Sequence, residues 1–127
     1  MVILDTSIWI EFLKNNKPYF ELVDELLDRN DVIGLSFIFG ELLQGAKSQR
    51  ERQIIKDFRD ALPKIDETEI FIKAGYESGK HKWSDKGIGI IDSAIVLASI
   101  ESNSFVWTLD QKLLRVLSNE QRYRPGK

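Results

Sequence analysis

The first seven residues constrain the fold of this chain more than any other stretch. Four apolar residues, Met1 to Leu4, lead directly into Asp5, Thr6 and Ser7, and a helical pattern of apolar residues follows at once. A short run that is apolar at every position is typical of a strand buried on both faces of a parallel sheet. Asp5 would then stand at the carboxyl end of that strand, where open α/β sheets place their ligand sites. The simpler interpretation is that Asp5 only caps the following helix.

Length and composition limit the classes of protein to which the chain can belong. Its 127 residues predict a single domain, 1–127. The absence of cysteine excludes a disulfide framework and a thiolate metal site. No apolar run approaches the ~20 residues of a membrane span, and a strand from residue 2 leaves no room for a signal peptide, so we expect a cytoplasmic protein without membrane association. The formal charge of −2 means that any nucleic-acid contact must come from local basic patches or metal ions.

Strand and helix patterns alternate along the chain, which predicts a central, mainly parallel sheet with helices on both faces, a three-layer α/β/α fold. Ser36 is predicted to cap the third helix, and the basic tail to add an edge strand or to fray. The predicted strands are 2–4, 32–36, 104–109 and, more weakly, 64–66; the predicted helices are 6–16, 18–29, 37–45, 49–61, 68–83, 88–102 and 111–117.

Three further acids follow apolar sequence. Asp110 ends an apolar strand as Asp5 does, and it could likewise be a helix cap. Glu41 and Asp92 have apolar neighbours at helical spacing, which predicts that both carboxylates are buried. Buried carboxylates are unfavourable without a partner. Glu41 could pair with a buried lysine or arginine, and Asp92 could be stabilised by the dipole of its helix.

Considered together, the four acids favour a shared site. Parallel strands place Asp5 and Asp110 at one edge of the sheet, and the helices that carry Glu41 and Asp92 can lead away from that edge. Two carboxylates ~4 Å apart repel by ~4 kcal/mol at an effective dielectric constant near 20, so four would gather only around a cation. Oxygen ligands without cysteine or a histidine pair point to Mg²⁺ or Mn²⁺.

At these acids the chain strongly resembles the PIN-domain family, and within it the VapC-type toxins of toxin–antitoxin pairs. Single motifs are weak evidence, but four in this order in a chain of this size are specific. The resemblance covers nearly the whole chain and rests on Leu4-Asp5-Thr6-Ser7, Glu41-Leu42-Leu43-Gln44-Gly45, Ile91-Asp92-Ser93-Ala94-Ile95 and Thr108-Leu109-Asp110.

The resemblance implies a divalent-metal-dependent endoribonuclease that is a homodimer and binds a cognate VapB-like antitoxin. Asp5 and Asp92 are expected to be the central metal ligands, and Glu41 and Asp110 to act through water or at a second metal. Ser7 and Thr108 match hydroxyl positions that support the carboxylates. The segment Lys80–Gly87 is more basic than the family pattern, and the chain beyond Leu117 aligns poorly with it.

Other side chains have weaker assignments. Trp9 and Trp107 are predicted to be core residues, Trp83 to be exposed or at an interface, and His81 to lie on the surface. The basic side chains near the third and fifth helices are candidates for phosphate contact or are simply a solvated face; they are Lys47, Arg50, Arg52, Lys80, Lys82 and Lys86.

Two alternatives stay open on the sequence. A phosphatase with Asp5 as nucleophile would need a second acid two residues on, where this chain has Ser7. A PIN-like module that only binds nucleic acid or protein would not need all four acids. A response-regulator receiver is disfavoured because its phosphoacceptor aspartate and its lysine have no counterparts at matching places.

Overall fold

The computed structural model describes residues 1–126 and has a parallel sheet between two groups of helices. Helices α1 to α4 pack on one another, α5 packs on α6, and α6 contacts the sheet. This is the predicted three-layer α/β/α arrangement. The strands are β1 Val2–Leu4 and β2 Phe105–Trp107; the helices are α1 Thr6–Leu13, α2 Tyr19–Asp28, α3 Ser36–Gly45, α4 Gln49–Ala61, α5 Ile70–His81, α6 Ile90–Ser102 and α7 Gln111–Val116, with a 3-10 helix at Ser84–Lys86.

The sheet is built on β1 and β2, which pair in parallel and carry the acids at their ends. Leu4 is opposite Trp107 in the register, and the strands are buried apart from Phe105. Single parallel bridges extend the sheet on each side, from Val2 to Val32 and from Val106 to Arg122. The basic tail, residues 122–127, thus contributes one bridge at its start, while Lys127 lies outside the described residues.

Two predicted strands are wrong in extent or existence. The segment 32–36 contributes only the bridge at Val32, and 64–66 forms no strand. The amide of Gly34 donates to the carbonyl of Pro63 at 2.9 Å, so the two segments touch at that point. Pro63 has no N–H to donate to a neighbouring strand, which works against a longer ladder there.

Ser36 does not cap α3, contrary to the prediction. It is the first residue of the helix, and Leu35 occupies the cap position. The Glu67 carboxylate instead accepts hydrogen bonds from the Ser36 amide at 2.9 and 3.1 Å and from its hydroxyl at 2.7 Å. An anion from a distant loop therefore satisfies the start of α3.

Helix boundaries differ from the prediction where local conformations compete. Helix α1 ends at Leu13, and Asn15 has a φ of 59°, a left-handed conformation that terminates helices. Helix α5 begins at Ile70 because Thr68 is held in a turn by Asp66, which accepts its amide and hydroxyl hydrogens at 3.0 and 2.6 Å.

Aromatic side chains of α1, α3 and α4 meet in the core. Trp9 is fully buried and makes aromatic contacts with Phe12, Phe39 and Phe58 at ring-centroid distances of 5.2–5.9 Å. Trp107 is buried too, which confirms both tryptophans as core residues. None of the helices within residues 1–126 has the length and apolar character needed to cross a membrane.

Candidate metal centre

Asp5 directly follows β1 and lies at the carboxyl end of the sheet. Its amide donates to the carbonyl of Trp107 at 3.0 Å, which continues the pairing of β1 with β2. One further step along this register places Asp5 beside Thr108, so the sheet itself brings the two predicted site residues together. Asp5 is only 6% exposed, in agreement with its position at the end of a strand that is buried on both faces.

Three donors fix the carboxylate of Asp5. The Thr6 amide donates to Oδ1 at 2.8 Å, so Asp5 is indeed the cap of α1. The hydroxyls of Thr108 and Ser7 donate to Oδ2 at 2.6 and 3.0 Å. A carboxylate offers about four lone-pair directions, so these bonds leave capacity for one more contact. The simple capping role and a ligand role are therefore compatible.

The two hydroxyls also tie Asp5 to the loop after β2. Ser7 Oγ accepts the Leu109 amide at 3.1 Å, and Thr108 Oγ1 accepts the Asp110 amide at 2.9 Å. Each hydroxyl thus donates to Asp5 and accepts from residues 109–110, which links the two strand ends twice. Such bonds hold the Asp5 carboxylate in a fixed rotamer and fix the backbone at Asp110, as expected of groups that orient metal ligands.

Asp110 caps α7 and remains half-buried beside this network. Its Oδ1 accepts the Lys112 amide at 2.9 Å. The capping interpretation of Asp110 is therefore correct, and within residues 1–126 no hydrogen bond engages its second carboxylate oxygen.

Glu41 is exposed, so the prediction that it is buried on the apolar face of α3 is wrong. The buried face of α3 is formed by Ile38, Phe39 and Leu42, and Glu41 lies just outside it. The hydroxyl of Thr6 donates to Glu41 Oε1 at 2.8 Å. This bond draws the carboxylate towards Asp5, which neighbours Thr6 in the chain.

Asp92 is the third residue of α6 and is half-buried. Burial, followed by the charges of Asp110, Asp5 and Glu41, raises the pKa of its carboxyl from 3.8 to about 6, and Lys112 opposes the rise. The start of a helix favours an anion, but here the other effects outweigh the dipole. All three other acids therefore act on Asp92, which fits convergence on one place.

The residues fit a divalent cation by donor chemistry. The four acids offer only carboxylate oxygens, the ligands that Mg²⁺ and Mn²⁺ prefer. Within residues 1–126, no three acids or histidines form a preassembled ligand group. The repulsion that raises the pKa of Asp92 would be relieved by a cation, which would draw the carboxylates together.

The candidate phosphate contacts fall in two regions, and all six basic side chains are exposed. Lys47 lies beside a largely apolar groove of about 380 Å³ between α1, α3 and α4, and Thr6 and Glu41 line the same groove. Lys80, Lys82 and Lys86 lie at the end of α5 and in the 3-10 helix.

Trp83 is half-buried against the core, where the sequence predicted exposure or an interface. His81 is exposed, as predicted, and its ring stacks on that of Trp83 at 5.4 Å.

Two residues of this region, Thr6 and Lys112, were not among the site residues predicted from the sequence. Thr6 positions Glu41, and Lys112 is the cation that acts on Asp92. The signal for Thr6 was its place between two predicted site residues. Lys112 follows Asp110 by two positions, but nothing in the local pattern distinguishes it from a surface lysine.

Comparison with known proteins identifies the family of this chain and a solved structure with a similar fold. The model of the PIN domain matches residues 2–117, which is most of the chain. The chain belongs to the PIN-domain family. Its fold is also similar to a chain in the crystal structure of VapBC2 from Rickettsia felis bound to a DNA fragment from their promoter, with a TM-score of 0.69, 24% sequence identity and coverage of 94% of this chain and 95% of that chain. Among curated proteins, none matches this sequence.

Proposed function

We propose that this PIN-domain protein is a divalent-metal-dependent endoribonuclease and the toxin of a VapBC-type toxin–antitoxin pair. The observation that carries the proposal is the hydrogen-bond network at the carboxyl end of the sheet, in which Ser7 and Thr108 hold Asp5 and Thr6 holds Glu41. Burial and the charges of Asp110, Asp5 and Glu41 raise the pKa of Asp92 beside it. Membership of the PIN-domain family and the similar fold in the VapBC2 structure support it.

The proposed roles follow from the contacts of each acid. Asp5 and Asp92 would be the central ligands of Mg²⁺ or Mn²⁺, because Asp5 is held rigidly and the charges of the other three acids act on the half-buried Asp92. Glu41 and Asp110 would orient water or complete a second metal site. A bound divalent cation would supply charge neutralisation at the scissile phosphate and a more acidic water.

The hydroxyls would act by positioning. Thr108 and Ser7 hold Asp5, and Thr6 holds Glu41, so the carboxylates keep their orientation while RNA binds and leaves. With water attacking phosphorus, the P–O3′ bond breaking and the 3′-oxygen leaving as a hydroxyl, we expect products with 5′-phosphate and 3′-hydroxyl ends.

The exposed apolar surface supports the two protein partners of the proposal. The groove beside Glu41 exposes Ile10 and Ile54, which suits an apolar segment of a VapB-like antitoxin. On α5, Ile72 and Tyr76 are 72% and 73% exposed and one turn apart, which suits a homodimer contact. Light scattering of the purified protein and of Ile72→Lys tests the dimer: the variant should shift towards a monomer.

Cleavage of labelled RNA tests the enzymatic proposal. The purified protein is incubated with Mg²⁺, with Mn²⁺ or with EDTA, next to Asp92→Asn and the control Asp24→Asn, which changes an exposed acid on α2. The parent and Asp24→Asn should cleave with metal and lose cleavage in EDTA. Asp92→Asn should be folded and inactive.

Other results would favour the alternatives. An Asp92→Asn variant that cleaves like the parent would refute the assignment of Asp92. Acyl-phosphate formation without cleavage would favour the phosphatase, and absence of both activities would favour the binding module. A small DNA-binding protein encoded directly upstream that copurifies with this chain and stops cleavage would support the toxin role.

A further inference from the structure

The lysine Lys112 lies near the four acids, and the proposed function assigns it no role. Lys112 lies in the first turn of α7, and its backbone amide donates to Asp110 at 2.9 Å. Its charge opposes the rise in the pKa of Asp92 that burial and the other acids cause, so the ammonium lies within electrostatic reach of that carboxyl. The side chain is exposed and therefore accessible to a ligand.

Gly87 shapes the path of this side chain. A Cβ built at Gly87 would lie 3.4, 3.5 and 3.6 Å from Nζ, Cε and Cδ of Lys112, so the stem of the lysine runs over the glycine backbone. Gly87 has a φ of +82°, a conformation that residues with a side chain rarely adopt. The loop before α6 thus supports the ammonium at the edge of the acidic site.

Charge balance gives this lysine a function. Four carboxylates around one divalent cation keep a net negative charge, and RNA adds its own phosphate charges. A fixed cation at the edge of the site would offset the repulsion and attract a phosphate next to the metal. Lysine suits this task because its ammonium is a compact point charge with three donors.

We propose that Lys112 is a substrate-positioning residue, supported by Gly87, that binds a phosphate of the RNA strand beside the acidic site. This inference rests on the proposed nuclease function. It also makes two predictions of opposite sign, because a cation that attracts RNA phosphate must repel a divalent cation from the same acids.

Binding of an RNA that cannot be cleaved tests the proposal. The anisotropy of a fluorescent 2′-O-methyl RNA oligonucleotide is measured in Mg²⁺ at several KCl concentrations. The proteins compared are the parent, Lys112→Met, Lys112→Arg and Arg115→Met, which removes an exposed cation one turn further along α7.

Lys112→Met should weaken binding by roughly 3- to 10-fold at moderate salt. The slope of log affinity against log salt should fall in magnitude by about 0.7, the value for one lost phosphate contact with a single strand. Lys112→Arg should restore most of the affinity, and Arg115→Met should match the parent. In a parallel titration, Lys112→Met should bind Mn²⁺ a few-fold more tightly than the parent.

The contrary results are distinct. The proposal is overturned if Lys112→Met binds the oligonucleotide with the affinity and salt slope of the parent. It is also overturned if the parent does not bind the oligonucleotide. A variant that binds both RNA and Mn²⁺ less tightly than the parent would indicate a damaged site and would overturn the proposal too. If Lys112 contributes to binding but the parent does not cleave unmodified RNA, the nuclease proposal fails and the role of Lys112 in binding stands.

Discussion

Asp92→Asn should stabilise the metal-free protein at neutral pH, although it should abolish function. The pKa of Asp92 is raised from 3.8 to about 6 by burial and by its acidic neighbours, so the folded state disfavours the charged carboxyl. At about 1.4 kcal/mol for each pKa unit, this difference is equivalent to about 3 kcal/mol. Because Asp92 is only half-buried, solvent screening reduces the effect, and we expect a gain of about 1–2 kcal/mol from the uncharged amide.

The sign of the pH dependence follows from proton binding. Below pH 3.8 the carboxyl is protonated in both the folded and the unfolded chain, and it contributes no difference. Between 3.8 and about 6 the folded chain keeps a proton that the unfolded chain has lost, so stability falls as pH rises. The advantage of Asp92→Asn over the parent should therefore be full at pH 8 and about a third as large at pH 4.5.

Urea unfolding in EDTA at pH 8 and pH 4.5 measures this effect, with Asp24→Asn as the control for loss of an exposed negative charge. At pH 8, the midpoint temperature of thermal unfolding, Tm, should be about 3–6 °C higher for Asp92→Asn than for the parent. Saturating Mg²⁺ should reverse the order, because only the parent gains binding energy, about 2.7 kcal/mol at 100 times the Kd. A variant that is less stable than the parent in EDTA at pH 8, or equally affected at both pH values, would refute the reasoning.

Three further changes test contacts described above. Thr108→Val removes a donor to Asp5 and should lower the unfolding free energy by about 1–3 kcal/mol and slow RNA cleavage at least tenfold, whereas Thr108→Ser should restore both; equal activity of the valine variant would contradict the positioning role. Glu67→Ala leaves the start of α3 at Ser36 without its acceptor and should lower stability in urea by about 1 kcal/mol, with unchanged Mn²⁺ affinity as the contrast to site variants. Trp9→Ala should lower stability by about 3–5 kcal/mol, and a loss below 1 kcal/mol would contradict its place in the core.

The sequence predicted the parts of the fold that depend on strong local patterns. The run from Val2 to Leu4 is apolar at every position, and the structure confirms a buried strand there. The segment 64–66 has no such pattern and follows Pro63, which has no N–H to donate to a neighbouring strand, and it forms no strand. The start of α3 was predicted to within one residue, but the predicted cap, Ser36, was wrong. The groups at this helix start bond to the carboxylate of Glu67, which is more than thirty residues away in the sequence.

The sequence predicted which site residues lie at the strand ends. It predicted less well how exposed the site residues are and which charges surround them. Asp5 and Thr108 meet because the parallel register brings them together, which follows from the order of strands and acids. The exposure of Glu41 did not follow, because helical spacing places it at the border of the apolar face. The effect of Lys112 on Asp92 depends on a side chain that runs over Gly87, twenty-five residues earlier in the chain, and no local pattern encodes this contact. The single-domain assignment, 1–127, stays a prediction.

Binding of Mn²⁺ to four single variants tests the central claim most directly. Electron paramagnetic resonance would measure free Mn²⁺ during titration of the parent, the control Asp24→Asn and the four acid-to-amide variants Asp5→Asn, Glu41→Gln, Asp92→Asn and Asp110→Asn. A shared centre predicts parent-like binding for the control and weaker binding for each of the four, with the greatest losses for Asp5→Asn and Asp92→Asn. Unchanged Mn²⁺ affinity in both of those variants would contradict a metal centre at the end of this sheet.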